Sequence, residues 1–84
     1  MGPVTSEIYA RLNTAFTPSM LEVENQSEQH RGHAGYTDGE SHFHVTIKAE
    51  KLDGLTRVAQ QRAVMAEVKD MMPTPIHAFG ITVK

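Results

Sequence analysis

Residues 42–49 read His-Phe-His-Val-Thr-Ile-Lys-Ala, and this octet decides the fold. Apolar and polar side chains alternate through it: Phe43, Val45, Ile47 and Ala49 against His42, His44, Thr46 and Lys48. A period of two places the first four on one face of a strand and the second four on the other. The expectation is a half-buried strand with Phe43, Val45, Ile47 and Ala49 facing a core. Upstream, residues 20–25 (Met-Leu-Glu-Val-Glu-Asn) repeat the pattern, with Leu21 and Val23 on one side and Glu22 and Glu24 on the other. Between the two lie polar residues 26–40, with Gly32, Gly35, Gly39, Asp38, His30 and His33. That stretch is too long for a tight hairpin turn and has the length of a functional loop. The two strands are expected to pair antiparallel across it.

Outward from this pair the period changes from two to that of a helix. Thr5 or Ser6 can cap a first helix, with Glu7 in the turn where the helix dipole favours a negative charge. Ile8, Leu12, Ala15 and Phe16 form its apolar stripe, and Thr17-Pro18 ends it, since proline lacks an amide proton and disfavours helix in the residue before it. Residues 1–4 are expected to be a flexible N-terminus. Asp53-Gly54 signals a turn and Thr56 can cap a second helix, preceded by a short helical turn. Its stripe is read as Val58, Met65, Val68 and Met72, flanked by Val64 and Met71, with Pro73 and Pro75 as the stop. Residues 76–83 (Ile-His-Ala-Phe-Gly-Ile-Thr-Val) form a third strand, apolar except for His77. The order α-β-β-α-β implies one α/β (α+β) domain over residues 1–84, helices on one face of a three-stranded sheet. Its core is expected to include Leu12, Phe16, Val23, Val45, Ile47, Val68 and Ile81.

Composition narrows the function. With 84 residues, a deep catalytic cleft is not expected, because so small a core has only a few kcal/mol of net stability. No apolar run approaches the roughly 20 residues of a membrane span. The net charge of −2 argues against a protein that coats nucleic acid. Cysteine is absent, which excludes disulfides, thiolate nucleophiles and any sulfur-ligated metal site built by this chain alone. Met1-Gly2-Pro3-Val4-Thr5-Ser6 formally fits an N-myristoylation pattern, but Pro3 directly after Gly2 argues against it. There is no P-loop, GxGxxG, G-x-S-x-G or HExxH, so nothing supports an enzyme.

The unusual feature is five histidines. Neutral imidazole is a common ligand for zinc, copper and iron. His77 stands in an apolar strand directly after Pro73-Thr74-Pro75; its plain reading is a histidine satisfied by a backbone carbonyl at a strand end. His30 and His33 sit among glycines that would let either ring swing toward His77. His42 and His44 project from one strand face, a pair that can ligate metal but is also what an exposed strand looks like. Gly32-His33-Ala34-Gly35 matches the GXXG clamp of KH domains only formally, since that clamp joins two helices and this one lies between two strands.

Taken in order, these pieces resemble the BolA family. Leu21-Glu22-Val23 with Asn25 and Ser27 is similar to its first strand and exit. Gly39-Glu40-Ser41-His42-Phe43-His44-Val45 is similar to its second-strand entry, where Ser/Thr-His-Phe is the signature. Leu52-Asp53-Gly54-Leu55 resembles its acid-glycine turn, and Ile76-His77-Ala78-Phe79 its Val-His-Ala-Leu strand with the hallmark histidine. The resemblance implies an α-β-β-α-α-β fold with a mixed sheet, similar to class II KH domains. It also implies a non-enzymatic partner of monothiol glutaredoxins that co-ligates a bridging 2Fe–2S cluster in iron–sulfur maturation or iron homeostasis. The expected ligands are His77 with His30 or His33. Counting forward from Ser27 selects His30, counting back from Ser41-His42-Phe43 selects His33, and both stay open. A 2Fe–2S cluster accepts two imidazoles on one iron in Rieske centres, so a chain without cysteine can give nitrogens while the partner's cysteine and glutathione give the thiolates. Alone, the chain is expected to be a monomer; its location is expected to be the cytoplasm, or the mitochondrial matrix in a eukaryote. The alternative is a DNA- or RNA-binding regulator of transcription, stress response and morphology. Its basic residues would be Arg57, Arg62 and Lys69, a dilute set beside Glu67 and Asp70.

Overall fold

The computed structural model describes residues 2–26 and 41–84. Its order is α1 (Pro3–Phe16), β1 (Met20–Asn25), β2 (His42–Lys48), α2 (Arg57–Ala66) and β3 (Ala78–Val83), with 3-10 turns at Glu50–Leu52 and Lys69–Met71. β2 is the central strand of a three-stranded sheet. It pairs antiparallel with β1, Val23 opposite Val45, and parallel with β3, where Val45 lies beside Ile81. The mixed α+β architecture expected from the sequence is therefore present. The antiparallel β1–β2 pair follows from direct return of the chain, and the parallel β2–β3 pair from the crossover through α2.

The alternation in β2 holds at every position: Phe43, Val45 and Ile47 are buried, His42, His44 and Thr46 half-buried. Ala49, just past the strand, is buried as well. Above that face lie Ile8, Leu12 and Phe16 of α1, with Leu52, Val64, Val68, Met71 and Ile76 closing the cluster. Of the expected core, Leu12, Phe16, Val45, Ile47 and Val68 are buried. Val23 and Ile81 are only partly buried against it, because β1 and β3 are the two edges of the sheet.

Three boundaries differ from the sequence reading, each for a local reason. α1 starts at Pro3 with Gly2 as its N-cap, so Pro3 and Val4 are its first turn, not a flexible tail, and neither Thr5 nor Ser6 is the cap. Proline suits the first helical position because its missing N–H would have had no partner there. Thr5 is instead buried on the stripe of Ile8 and Leu12. α2 ends at Ala66 and gives way to the turn at Lys69–Met71. Within α2, Val64 faces the core and Val58, six positions earlier and counted in the stripe, lies about 120° away and is 58% exposed; beyond the helix Val68 and Met71 are buried. β3 starts at Ala78, so His77 precedes the strand.

Short polar ties fix the joints. The α1 C-cap is Thr17, left-handed at φ 42°, and its N–H donates to Asn13 O at 2.9 Å. Lys51 Nζ donates to Ala15 O at 3.0 Å, a cation at the negative end of the helix. Thr56 caps α2 as expected, its hydroxyl accepting from Ala59 N at 3.1 Å. Among the described residues no helix is long and apolar enough to cross a membrane.

Candidate metal centre

The parallel register that sets His42 beside Ala78 also sets His77 at the entrance of the same sheet end. One carbonyl organises it: Ser41 O accepts from His77 N at 2.7 Å and from Ala78 N at 3.1 Å. On the other side His42 O accepts from Gln26 N at 2.7 Å. The backbones of residues 26, 41, 42, 77 and 78 are thus tied into one rim. Ser41 Oγ lies 2.9 Å from His42 Nδ1, and the rings of His42 and His77 have centroids 5.5 Å apart, tilted by 59°.

His77 is exposed, and its ring hydrogen-bonds to no described residue. Its main-chain N–H donates to Ser41 O, and the residue itself is exposed. His30 and His33, the other expected ligands, lie outside the described residues. The residues flanking that segment, Gln26 and Ser41, are both in the His77 rim.

His42 and His44, read as a same-face pair, go different ways. His44 lies against Gly80 of β3, and its Nε2 hydrogen-bonds to Thr82 Oγ1 at 2.7 Å. A Cβ on Gly80 would sit 2.7 Å from His44 Nδ1, so the glycine makes the room the ring occupies. His42, whose parallel neighbour is Ala78, meets His77 instead. The sequence reading gave His42 no part with His77, and no signal along the chain links them: their juxtaposition depends on register between distant strands. Among the described residues no three His, Cys, Asp or Glu side chains converge as a metal site.

The basic residues of the alternative reading are spread over a helix and the turn after it. Arg57 and Arg62 are exposed on α2, and Lys69 is exposed on the turn after it. Five positions in a helix turn the direction by about 140°, so the two arginines do not share a stripe. Nearby, Arg11 is committed elsewhere: it donates to Asp70, to Glu7 Oε2 at 2.8 Å and to Glu67 O at 3.1 Å. Its hydrogen bonds hold the Asp70 carboxyl below the usual carboxylate range, against an opposing desolvation effect.

Comparison with known proteins bears on the chain as a whole. A family model described as BolA-like protein matches residues 12–84. The chain is 32% identical over 83 residues to mouse BolA-like protein 1, covering 99% of this chain and 58% of that protein. It thus spans little more than half the length of that relative. It is 38% identical over 74 residues to a Vibrio cholerae protein named DNA-binding transcriptional regulator BolA, covering 88% of this chain and 67% of that one. Among solved structures it resembles the BolA domain of SufE1 from Arabidopsis thaliana, with TM-score 0.87, 32% identity, and coverage of 100% of this chain and 93% of that one.

Proposed function

This chain belongs to the BolA-like family, and from that premise we propose that it is a non-enzymatic adaptor that pairs with a monothiol glutaredoxin and shares a 2Fe–2S cluster with it. The observation that carries the reading is the exposed His77 ring on the rim where residues 26 and 41 flank the segment bearing His30 and His33. The donor set fits. Without cysteine the chain offers imidazole nitrogen, and His77 with His30 or His33 would take one iron of the cluster. The partner's cysteine and glutathione would supply the sulfur ligands. The cluster is the cargo, and the contribution of this chain is to present neutral nitrogens from a backbone rim locked by the sheet. A place in the cytoplasm, or in the mitochondrial matrix of a eukaryote, belongs to the same proposal.

The test is to mix the purified chain, colourless and monomeric alone, with a cluster-loaded monothiol glutaredoxin and glutathione. A one-to-one complex should form, with altered visible absorption and circular dichroism. His77→Ala should abolish the mixed-ligand spectrum and His44→Ala should preserve it. His30→Ala and His33→Ala should differ, the more damaging one identifying the loop ligand; if each covers for the other, only the double variant fails. An unchanged spectrum with His77→Ala would overturn the assignment.

A second reading, a nucleic-acid-binding regulator, has the name of the Vibrio cholerae relative and the exposure of Arg57, Arg62 and Lys69 behind it. The net charge of −2 and the divergent directions of the arginines weigh against it.

A further inference from the structure

The two edges of the sheet are not alike. β1 carries Glu22 and Glu24, charges of the kind that keep a free edge from pairing with another chain. β3, Ala78–Val83, has neither charge nor proline, and its outer side runs beside α2. We infer that this edge of β3 takes up an extended acidic segment of a partner protein as a fourth strand, with Arg57 meeting its carboxylate. The inference does not rest on the cluster reading. That reading uses the Ser41–Ala78 end of the sheet, whereas this site lies toward the Ile47–Val83 end.

Main-chain direction is the first argument. Ala78 N donates to Ser41 O and Lys84 N to Ile47 O, so the even-numbered residues of β3 face β2. The N–H and C=O groups of Phe79, Ile81 and Val83 therefore point to the outer side, as main-chain groups alternate along a parallel strand. There, Ile81 O accepts from Gln61 Nε2 at 3.3 Å, a long contact that an incoming strand can replace.

The flank is the second. Between α2 and β3 lies a cavity of about 250 Å³, lined by Arg57, Gln60, Gln61, Ile81, Thr82 and Val83. Val58 precedes Gln61 by three positions, the spacing of neighbours on one helix side, and is exposed. An apolar side chain of the added strand would pack against it. Charge is the third. None of the six lining residues is acidic, and among the described residues Arg57 forms no ion pair. A carboxylate is what complements that guanidinium. A second copy of this chain would bring only Ala-Phe-Gly-Ile-Thr-Val to the same place, and that strand has no carboxylate.

The experiment titrates the isotope-labelled full chain with a synthetic peptide of alternating glutamate and valine, read by NMR. One peptide should bind per chain, shifting the amide signals of Phe79, Ile81, Val83, Arg57 and Gln61 and leaving that of Val23 in place. Hydrogen exchange at Phe79, Ile81 and Val83 should slow, because those N–H groups gain acceptors. The lysine–valine counterpart should bind at least about tenfold more weakly, and so should the acidic peptide methylated on every amide nitrogen. Arg57→Glu suits the first turn of a helix, so it keeps the fold, and it should weaken binding by about tenfold. His77→Ala should leave the affinity within about twofold, which separates this site from the cluster reading. Absence of binding by the acidic peptide, shifts at β1 in place of β3, or equal binding of the lysine or methylated peptide overturns the inference. So does the same response on concentrating the chain alone, which gives the edge to a second copy. A response to a DNA oligonucleotide where the peptide produces none overturns it too. The wild-type NMR response decides the matter even if a variant fails to fold.

Discussion

At the scale of single residues, Gly80 and Val45 make opposite demands on space. Gly80 must lack a side chain because the His44 ring stands where its Cβ would be. Gly80→Ala should displace the ring, break its contact with Thr82 and lower stability by about 1–3 kcal/mol. Adding His44→Ala should remove most of that loss, and a double-mutant cycle in urea would show it; strict additivity would mean that the two positions do not compete. Val45, 0% exposed at the centre of the sheet, must stay apolar. Val45→Asp buries an unpaired charge, costing several kcal/mol, and should leave the chain unfolded by circular dichroism at room temperature. A melting temperature within a degree or two of wild type would refute the strand register. His77→Ala, by contrast, should change stability by no more than about 0.5 kcal/mol because the ring is exposed, so a lost cluster spectrum would report ligation and not unfolding.

Between elements, polar contacts set the joints that apolar packing leaves loose. Thr56→Ala removes the acceptor for Ala59 N and should cost about 1 kcal/mol in denaturant unfolding. Val58→Lys, in the first turn of the same helix but 58% exposed, should change nothing measurable, a contrast that separates cap from stripe. The Arg11–Asp70 contact ties α1 to the turn after α2. Because Arg11 lowers the folded-state value of Asp70, the contact stabilises the protein above the ordinary aspartate value of about 3.9 and its contribution is lost as pH falls through the lowered one. Asp70→Asn should therefore lower the melting temperature slightly at neutral pH, the effect being small for an exposed pair. The difference between the proteins should vanish in strong acid. A gap that persists there would mean that the tie is not ionic.

For the whole molecule, the balance of charge limits what surfaces can do. With a net charge of −2 and only Arg57, Arg62 and Lys69 near the second helix, any nucleic-acid complex should be weak, unselective and lost as salt rises. Fluorescence anisotropy over a salt series checks this. A tight, sequence-selective complex at physiological salt would favour the regulator reading over the adaptor one. The other surface at this scale is the His77 rim, at the sheet end opposite the Lys48 pairing of β1, whose proposed role depends on histidine chemistry and not on net charge.

The sequence by itself determined the elements whose signal is local. Strict alternation fixed β2 and its buried face, because one slip would turn every side chain to the wrong side. Thr17-Pro18 and Thr56 marked helix ends through chemistry that needs no distant neighbour, and the absence of cysteine settled that the chain offers no thiolate. The tertiary structure decided what depended on residues far apart in the chain. Packing against the sheet decided which helix face is buried, Val64 and Met71 turning to the core while Val58 stays exposed. Above all, the parallel register of β2 and β3 separated His42 from His44, giving one the company of His77 and the other the space above Gly80. Side-chain period tells which face a residue takes, but only the pairing of strands tells what stands beside it there.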